Sequence, residues 1–385
     1  MEYRLEELFD LQMGKTPSRS KPEYWDSEDH KWISIGDLSQ CGKYISETKE
    51  YISDLAVAES GISLIPADTV IMSFKLSIGK TAITKEPMYS NEAIMSFRDK
   101  RVVELMPEYI YYLLSSRDWD EGTNKAVMGK TLNKATLSQI CVDVHNFEEQ
   151  KEIVCVLNKA SAIIEARKHE LQKLDDLIKA RFVEMFGDVI HNEKGWPQHS
   201  FSDVATSRLG KMLDAKQQTG KFKYPYLANY NVQWFRFDLD DLHEMDFSEA
   251  DQIEFELKAG DLLVCEGGEI GRCAIWQDEV QPCYFQKALH RVRCNKQIII
   301  PEYLARWFQF NCEHGGFSSI EGSKATISHL TGAKLKMLSV TVPPTQLQEE
   351  FAAFAAQIDK SKVVVQKALD EAQLLFDSLM QKYFG

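Results

Sequence analysis

Residues 150–187 read QKEIVCVLNKASAIIEARKHELQKLDDLIKARFVEMFG, and residues 348–385 read QEEFAAFAAQIDKSKVVVQKALDEAQLLFDSLMQKYFG. The two stretches align without a gap: Leu171 falls on Leu369, Leu177 on Leu375, and Phe186-Gly187 on Phe384-Gly385. Their separation of roughly two hundred residues far exceeds the period of about 20–50 residues of a solenoid. A domain together with its following helix has been duplicated. Neither stretch holds Gly or Pro before its closing glycine, so each predicts one long helix, over 147–187 and 345–385.

Both helices carry heptads. In the first, Ile153, Leu157, Ala160, Ile164, Arg167, Leu171, Leu174, Ile178 and Met185 advance by alternating fours and threes, skipping Arg181. The matching set is Phe351, Ala355, Ile358, Lys362, Val365, Leu369, Ala372, Phe376 and Tyr383. Such a stripe is the seam of a coiled coil. The first helix leads straight into the second head, so the second helix must run back to meet it. An antiparallel pair follows.

The flanking segments, 1–146 and 188–344, read as two similar mixed α/β heads. Apolar runs such as Val70-Ile71-Met72 are punctuated by turn residues. Gly14-Lys15 corresponds to Gly210-Lys211, and Ile78-Gly79-Lys80 to Ile270-Gly271-Arg272. Pro107-Glu108-Tyr109-Ile110 matches Pro301-Glu302-Tyr303-Leu304, and Val142-x-Val144 matches Val340-x-Val342. The expected fold class is α+β: two related heads separated by two long helices in an antiparallel coiled coil, with pseudo-two-fold symmetry. His145-Asn146 stands where the second copy has Pro343-Pro344, which loosens the expected stop before the first helix.

Composition sets bounds. The 385 residues suffice for two heads that each bury a core. Net charge is −13, which neither supports nor excludes a nucleic-acid partner, since phosphate affinity depends on where the cations sit. Eight scattered cysteines without a C-x-x-C pair fit reduced thiols, and no apolar run approaches the ~20 residues of a membrane span. The opening residues lack the pattern of a signal peptide, so a cytoplasmic location is expected.

Catalytic patterns fail on spacing. Gly14-Lys15-Thr16, Gly79-Lys80-Thr81 and Gly129-Lys130-Thr131 each lack the glycine five residues earlier that a phosphate loop needs; Phe9, Phe74 and Asn124 stand there. Asp251 with Glu256-Leu257-Lys258 has the order of a metal-dependent nuclease, but the spacing is common by chance. Cys312 and His314 lack a second ligand pair. No metal site and no catalytic residue is expected.

Several motifs together carry a family resemblance. Glu7-Leu8-Phe9-Asp10-Leu11-x-x-Gly14-Lys15-Thr16-Pro17-Ser18, followed by Trp32-Ile33-Ser34-Ile35-Gly36-Asp37-Leu38, resembles the opening of a Type I restriction–modification specificity subunit. Phe147-Glu148-Glu149-Gln150-Lys151-Glu152-Ile153-Val154 resembles that family's entry into its first spacer helix, and Leu174 to Gly187 its exit. The resemblance implies a non-catalytic DNA reader: one target-recognition domain per half of an asymmetric bipartite sequence, with two modification (methyltransferase) subunits docked on the spacers. S-adenosylmethionine, ATP and Mg would belong to partner subunits, including restriction subunits in a full complex. A helix of about 38 residues, roughly 57 Å at ~1.5 Å per residue, would space the heads by about one to one and a half DNA turns. The rival from another class is a two-headed adaptor that binds protein.

Polar residues interleaved with basic and aromatic ones are the candidates for DNA contact. In the first head these are Lys15, Ser18 and Arg19; Lys75, Ser77 and Lys80; and Lys130, Thr131, Asn133 and Lys134. In the second head they are Lys211; Tyr230, Asn231 and Gln233; Glu269 and Arg272; and Ser323 and Lys324. Trp25, Trp32, Trp234 and Trp307 are expected in cores rather than as stacking platforms.

Overall fold

A computed structural model describes residues 1–75, 77–119, 133–213, 220–318 and 329–385. The chain forms two compact units, one of residues 1–169 with 366–385, the other of residues 170–365. Each unit contains one head and the end segments of both long helices, Phe147–Phe186 and Thr345–Phe384.

In the first unit a five-stranded sheet runs in the order Phe9–Met13, Ile94–Asp99, Val70–Ser73, Thr81–Thr84 and Tyr44–Ile45. A three-stranded sheet orders Glu50–Ile52, His30–Ile33 and Tyr89–Ser90, and Glu2–Arg4 pairs with Cys141–Asp143. All four residues of Val70–Ser73 are buried, because this central strand is covered on both faces.

The second unit repeats this plan. Its four-stranded sheet orders Ala205–Leu209, Leu289–Cys294, Leu262–Cys265 and Cys273–Ile275. The register Phe9↔Asp99 through Met13↔Met95 has its counterpart in Ala205↔Cys294 through Leu209↔His290. A three-stranded sheet again flanks it, with Lys223–Leu227 between His243–Asp246 and Tyr284–Phe285, and Gln198–Ser200 pairs with Ser339–Thr341. The duplicated α+β organisation is present, and the framework residues shared by the two copies explain why.

Tyr109 and Tyr303 are fully buried, and each hydroxyl donates to a carbonyl of the strand that closes its head, Asp143 O at 3.3 Å and Thr341 O at 2.9 Å. Gly14 and Gly210 pass so close to a neighbouring strand that an added Cβ would lie 2.2 Å from Ser90 O or 2.3 Å from Gln286 O. Gly79 and Gly271 both adopt positive φ (87° and 83°), where a side chain would be strained.

Gln150 and Gln348 anchor the long helices identically. The Gln150 side-chain oxygen accepts from Met106 N at 3.1 Å, and its amide donates to Glu104 O and His145 O, both at 3.0 Å. The Gln348 oxygen accepts from Ile300 N at 3.0 Å, and its amide donates to Ile298 O at 3.0 Å and Pro343 O at 2.8 Å. The first helix also has a definite start. Asn146 Oδ1 accepts from Glu149 N and Glu149 Oε2 accepts from Asn146 N, each at 3.0 Å, a reciprocal capping box where the second copy uses proline. Asn146→Ala should therefore lower the unfolding free energy by about 1 kcal/mol in chemical denaturation.

The heptad residues Ile153, Leu157, Ala160, Ile164 and Ile178 are buried, as are Phe351, Ala355 and Val365; Leu171, Leu174, Met185, Ile358, Leu369, Ala372, Phe376 and Tyr383 are half-buried. Within each unit the opening turns of one long helix lie beside the closing turns of the other. In the first unit Phe376, Leu379, Met380, Tyr383 and Phe384 pack on the core that holds Ile153 and Leu157. In the second, Phe182 and Phe186 meet Phe351 at ring distances of 5.4 and 5.6 Å, and Lys362 bonds Asp175 at 2.5 Å. Lys362 thus takes part in the seam as a cation paired across it.

Candidate nucleic-acid interface

In the first head, segments 14–20, 77–80 and 89–93, with Lys75, come together at one end of the five-stranded sheet. The turn at Gly14-Lys15 is tied to the end of Tyr89–Ser90 by Lys15 N donating to Ser90 O at 2.8 Å. The Thr16 hydroxyl donates to Glu92, and this bond, with a smaller contribution from the charge of Lys75, holds the Glu92 carboxyl below its ordinary range. Lys75 is half-buried and Ser77 and Lys80 exposed; neither ammonium has a carboxylate within 4 Å among the described residues.

Beside them, Arg19 lies 3.6 Å over the Trp25 ring and pairs in a fork with Glu50, which raises the guanidinium's pKa. Trp32 is buried against Trp25, edge to face at 4.9 Å, and donates to Lys15 O at 3.1 Å. Trp25 itself is half-buried, packs at the edge of the small core that holds Trp32 and Tyr24, and also serves as the platform for Arg19. Exposed Ser18 bonds Ser20 at 2.8 Å, and the Lys15 ammonium donates to Ser60 O.

Asn133 and Lys134 are exposed. The Asn133 side chain accepts from Thr136 N at 2.8 Å and caps the helix Lys134–Ser138, so this asparagine has a local structural task. Lys130, Thr131, Ser323 and Lys324 lie outside the described residues.

In the second head several of the candidate side chains are engaged within the fold. Asn231 is 1% exposed; its side chain accepts from Ala228 N and donates to Asp238 O and Asp241 O, which leaves nothing to offer a base. Lys211 is also taken up: its ammonium donates to Asp246 O at 2.7 Å and Asp251 Oδ2 at 2.6 Å, with its side chain 11% exposed. Asp251, the carboxylate of the nuclease-like pattern, is held by Lys211 and by Ser248 at a helix start. These partners outweigh its desolvation and lower its pKa.

Arg272 donates to Asn229 O at 3.0 Å and sits 3.6 Å from Glu269, whose other oxygen accepts from the Trp234 indole at 2.8 Å. Tyr230 is exposed, and Gln233 donates to Tyr230 O at 2.8 Å. Trp307 is buried as expected, whereas Trp234 is half-buried.

No sequence pattern singles out Lys287, yet it belongs with these loops. It is exposed, and its backbone N–H donates to Lys211 O at 2.9 Å, so it occupies the same loop cluster. Its position directly after Tyr284-Phe285-Gln286, where Glu92 follows the matching strand of the first head, is the available signal. Among the described residues no group of three His, Cys, Asp or Glu side chains is placed to hold a metal ion. None of their helices is long and apolar enough to cross a membrane.

The two heads thus define a duplicated protein in which each head presents clustered loops of charged and aromatic side chains from an α+β frame. The sequence model for the Type I restriction modification DNA specificity domain matches residues 1–175 and again 193–372, and the chain belongs to that family. It is 27% identical over 226 residues to the Type I restriction enzyme MjaIX specificity subunit of Methanocaldococcus jannaschii, covering 54% of this chain and 52% of that protein. It is 25% identical over 186 residues to the EcoR124I/EcoR124II specificity subunit of Escherichia coli, covering 46% and 44%. The matches span about half the length of these curated relatives. The fold of the S subunit of a Type I restriction–modification system from M. genitalium superposes with a TM-score of 0.55 at 13% identity, covering 100% of this chain and 96% of that one. A chain from a structure concerned with assembly and conformational transition of the type I R-M system gives 0.60 at 13% identity, covering 100% and 97%.

Proposed function

We propose that this chain is the DNA-reading specificity subunit of a Type I restriction–modification complex. Each head reads one half of an asymmetric bipartite sequence, and the long helices dock two modification subunits. Methyl transfer from S-adenosylmethionine, and ATP- and Mg-dependent restriction, belong to those partners and to restriction subunits; the complex acts on DNA in the cytoplasm. The observation that carries the reading is the family match across both copies, together with divergent loops on a shared frame. Shared residues such as Tyr109/Tyr303 and Gln150/Gln348 are buried in the frame, while Arg19, Lys75, Tyr230 and Lys287 lie in loops that differ between copies.

The test is to express the chain with its modification partner and map methylated adenines. Methylation confined to a two-part sequence, and losing one part when loops of one head are exchanged, supports the reading; methylation without a two-part sequence overturns it. Binding of duplex DNA should also weaken steeply with salt, because phosphate contacts release counterions. Replacing Lys75 and Lys80 together by alanine should lower the slope of log K against log salt by about 0.9 for each phosphate that is no longer neutralised. Lys211→Ala should instead lower the melting temperature and leave that slope unchanged, since its ammonium is consumed by Asp246 O and Asp251. A salt-independent interaction would favour the protein-binding adaptor.

A further inference from the structure

The duplication supplies an internal control for the junction between each head and its helices, and the two copies differ there. In the first unit, Lys43 precedes the edge strand Tyr44–Ile45 and places its ammonium 4.6 Å from the Tyr112 ring. Asn158 on the long helix completes the junction: its side-chain oxygen accepts from Lys43 at 2.6 Å and from the Tyr112 hydroxyl at 2.7 Å. The cation has both a ring and an acceptor.

In the second unit the cation and the ring have exchanged elements. Arg306 stands in the helix Pro301–Glu313 where Tyr112 stands in Pro107–Ser115, and its guanidinium lies 3.5 Å over Phe235. Phe235 N donates to Cys273 O at 3.0 Å, as Ile83 N bonds Lys43 O at 2.9 Å beside the matching strand. The acceptor has no counterpart, because the residue matching Asn158 is Ala356. Val154 and Leu157 are likewise replaced by Ala352 and Ala355. These three alanines, with Arg306, Phe235 and Phe237, line a cavity of about 460 Å³, a size typical of small-molecule sites.

Arg306 is 6% exposed, yet among the described residues it has one hydrogen bond, to Gln309 Oε1 at 3.0 Å, and no carboxylate within 4 Å. Asp359 and Asp175 act on it only at longer range; burial pushes its pKa down to about 10, so it stays charged at neutral pH. Beyond that bond the guanidinium N–H groups hold no protein acceptor among the described residues, so an anion entering the cavity can take the place of water on them. A carboxylate satisfies the planar fork with two parallel bonds. The lining is mixed: Phe237, Leu239, Ile275 and the alanines offer an apolar side to a compact hydrocarbon body, Arg236 adds a second cation, and the acids Glu279, Glu302 and Asp359 disfavour a dianion such as phosphate.

We propose that this cavity binds a free organic monocarboxylate with a compact apolar body. The site is independent of DNA reading and has no counterpart in the first unit, where Asn158, Leu157 and Val154 occupy the same helix positions.

Isothermal titration of the full chain with phenylacetate tests it, with phenylacetamide as the neutral control. Saturable one-to-one binding of phenylacetate, absent for the amide, is expected. Arg306→Gln and Ala356→Asn should each weaken it at least tenfold with unchanged circular dichroism. Ala356→Asn guards against misfolding, because it installs the side chain that the first unit already carries. No saturable binding, equal binding of the amide, or affinity unchanged in both variants overturns the proposal. The tripeptide N-acetyl-Gly-Gly-Phe separates a free acid from a protein terminus: preference for the tripeptide overturns the assignment to a small molecule.

Discussion

Replacing Phe186 by alanine is expected to destabilise the second unit by about 3–5 kcal/mol, the range for truncating a fully buried aromatic side chain. Phe186 closes the first long helix with 0% exposure, and its ring lies 4.9 Å from Tyr303, 5.1 Å from Phe182 and 5.6 Å from Phe351. Those rings belong to the head's own helix, the same long helix and the start of the second long helix. The cavity would open where three elements meet, and none can close it alone. Its repeat partner Phe384 is half-buried, 5.5 Å from Tyr109 and 6.3 Å from His145. Phe384→Ala should cost less than half as much. Chemical denaturation of both variants checks the ordering, and equal losses would contradict it.

Gln348→Ala should cost about 2–4 kcal/mol despite removing only a few atoms. It leaves Ile300 N, Ile298 O and Pro343 O without their partner in a place where Gln348 is 0% exposed. An unsatisfied buried group costs about 1–3 kcal/mol, and relaxation recovers part of the sum. Gln150→Ala should behave alike, because Gln150 is 1% exposed and makes the corresponding three bonds. Leucine, which restores apolar bulk but no hydrogen bonds, should not rescue either position. Rescue by leucine in urea denaturation would show that volume, and not hydrogen bonding, holds the helix to its head.

The frame was legible in the sequence to different depths. The helices could be read directly, since forty-residue helices without Gly or Pro depend on local propensity and a repeating apolar stripe. The paired motifs announced two similar heads, and their placement explains the pairing: Tyr109 and Tyr303 bond the closing strand, while Gly14 and Gly210 allow a close backbone approach. The helix start at Asn146 is also encoded locally, in Asn146-x-x-Glu149, a capping signal of a different kind from the prolines of the second copy.

The candidate DNA contacts were less legible. Lys211 and Asn231 carry suitable chemistry for reading a base, but their hydrogen bonds are spent inside the head, on Asp246 O and Asp251 or on loop backbone. Lys75 and Lys80 keep ammonium groups without a carboxylate partner among the described residues, and Lys287 joins the loop cluster without a motif to announce it. Whether a polar side chain faces inward depends on which carbonyl another segment brings near, and no local pattern encodes that.

The sequence by itself determined the duplication, the two long helices and the framework positions, because gapless periodicity and glycine–proline punctuation act through neighbouring residues. Only the tertiary structure decided which polar residues remain free at the loops, and that the second junction is open where the first is filled. Ala356 is an unremarkable helix former until Arg306 is seen beside it, buried and short of acceptors. Burial and hydrogen-bond satisfaction belong to segments far apart in the chain, and folding alone brings them together.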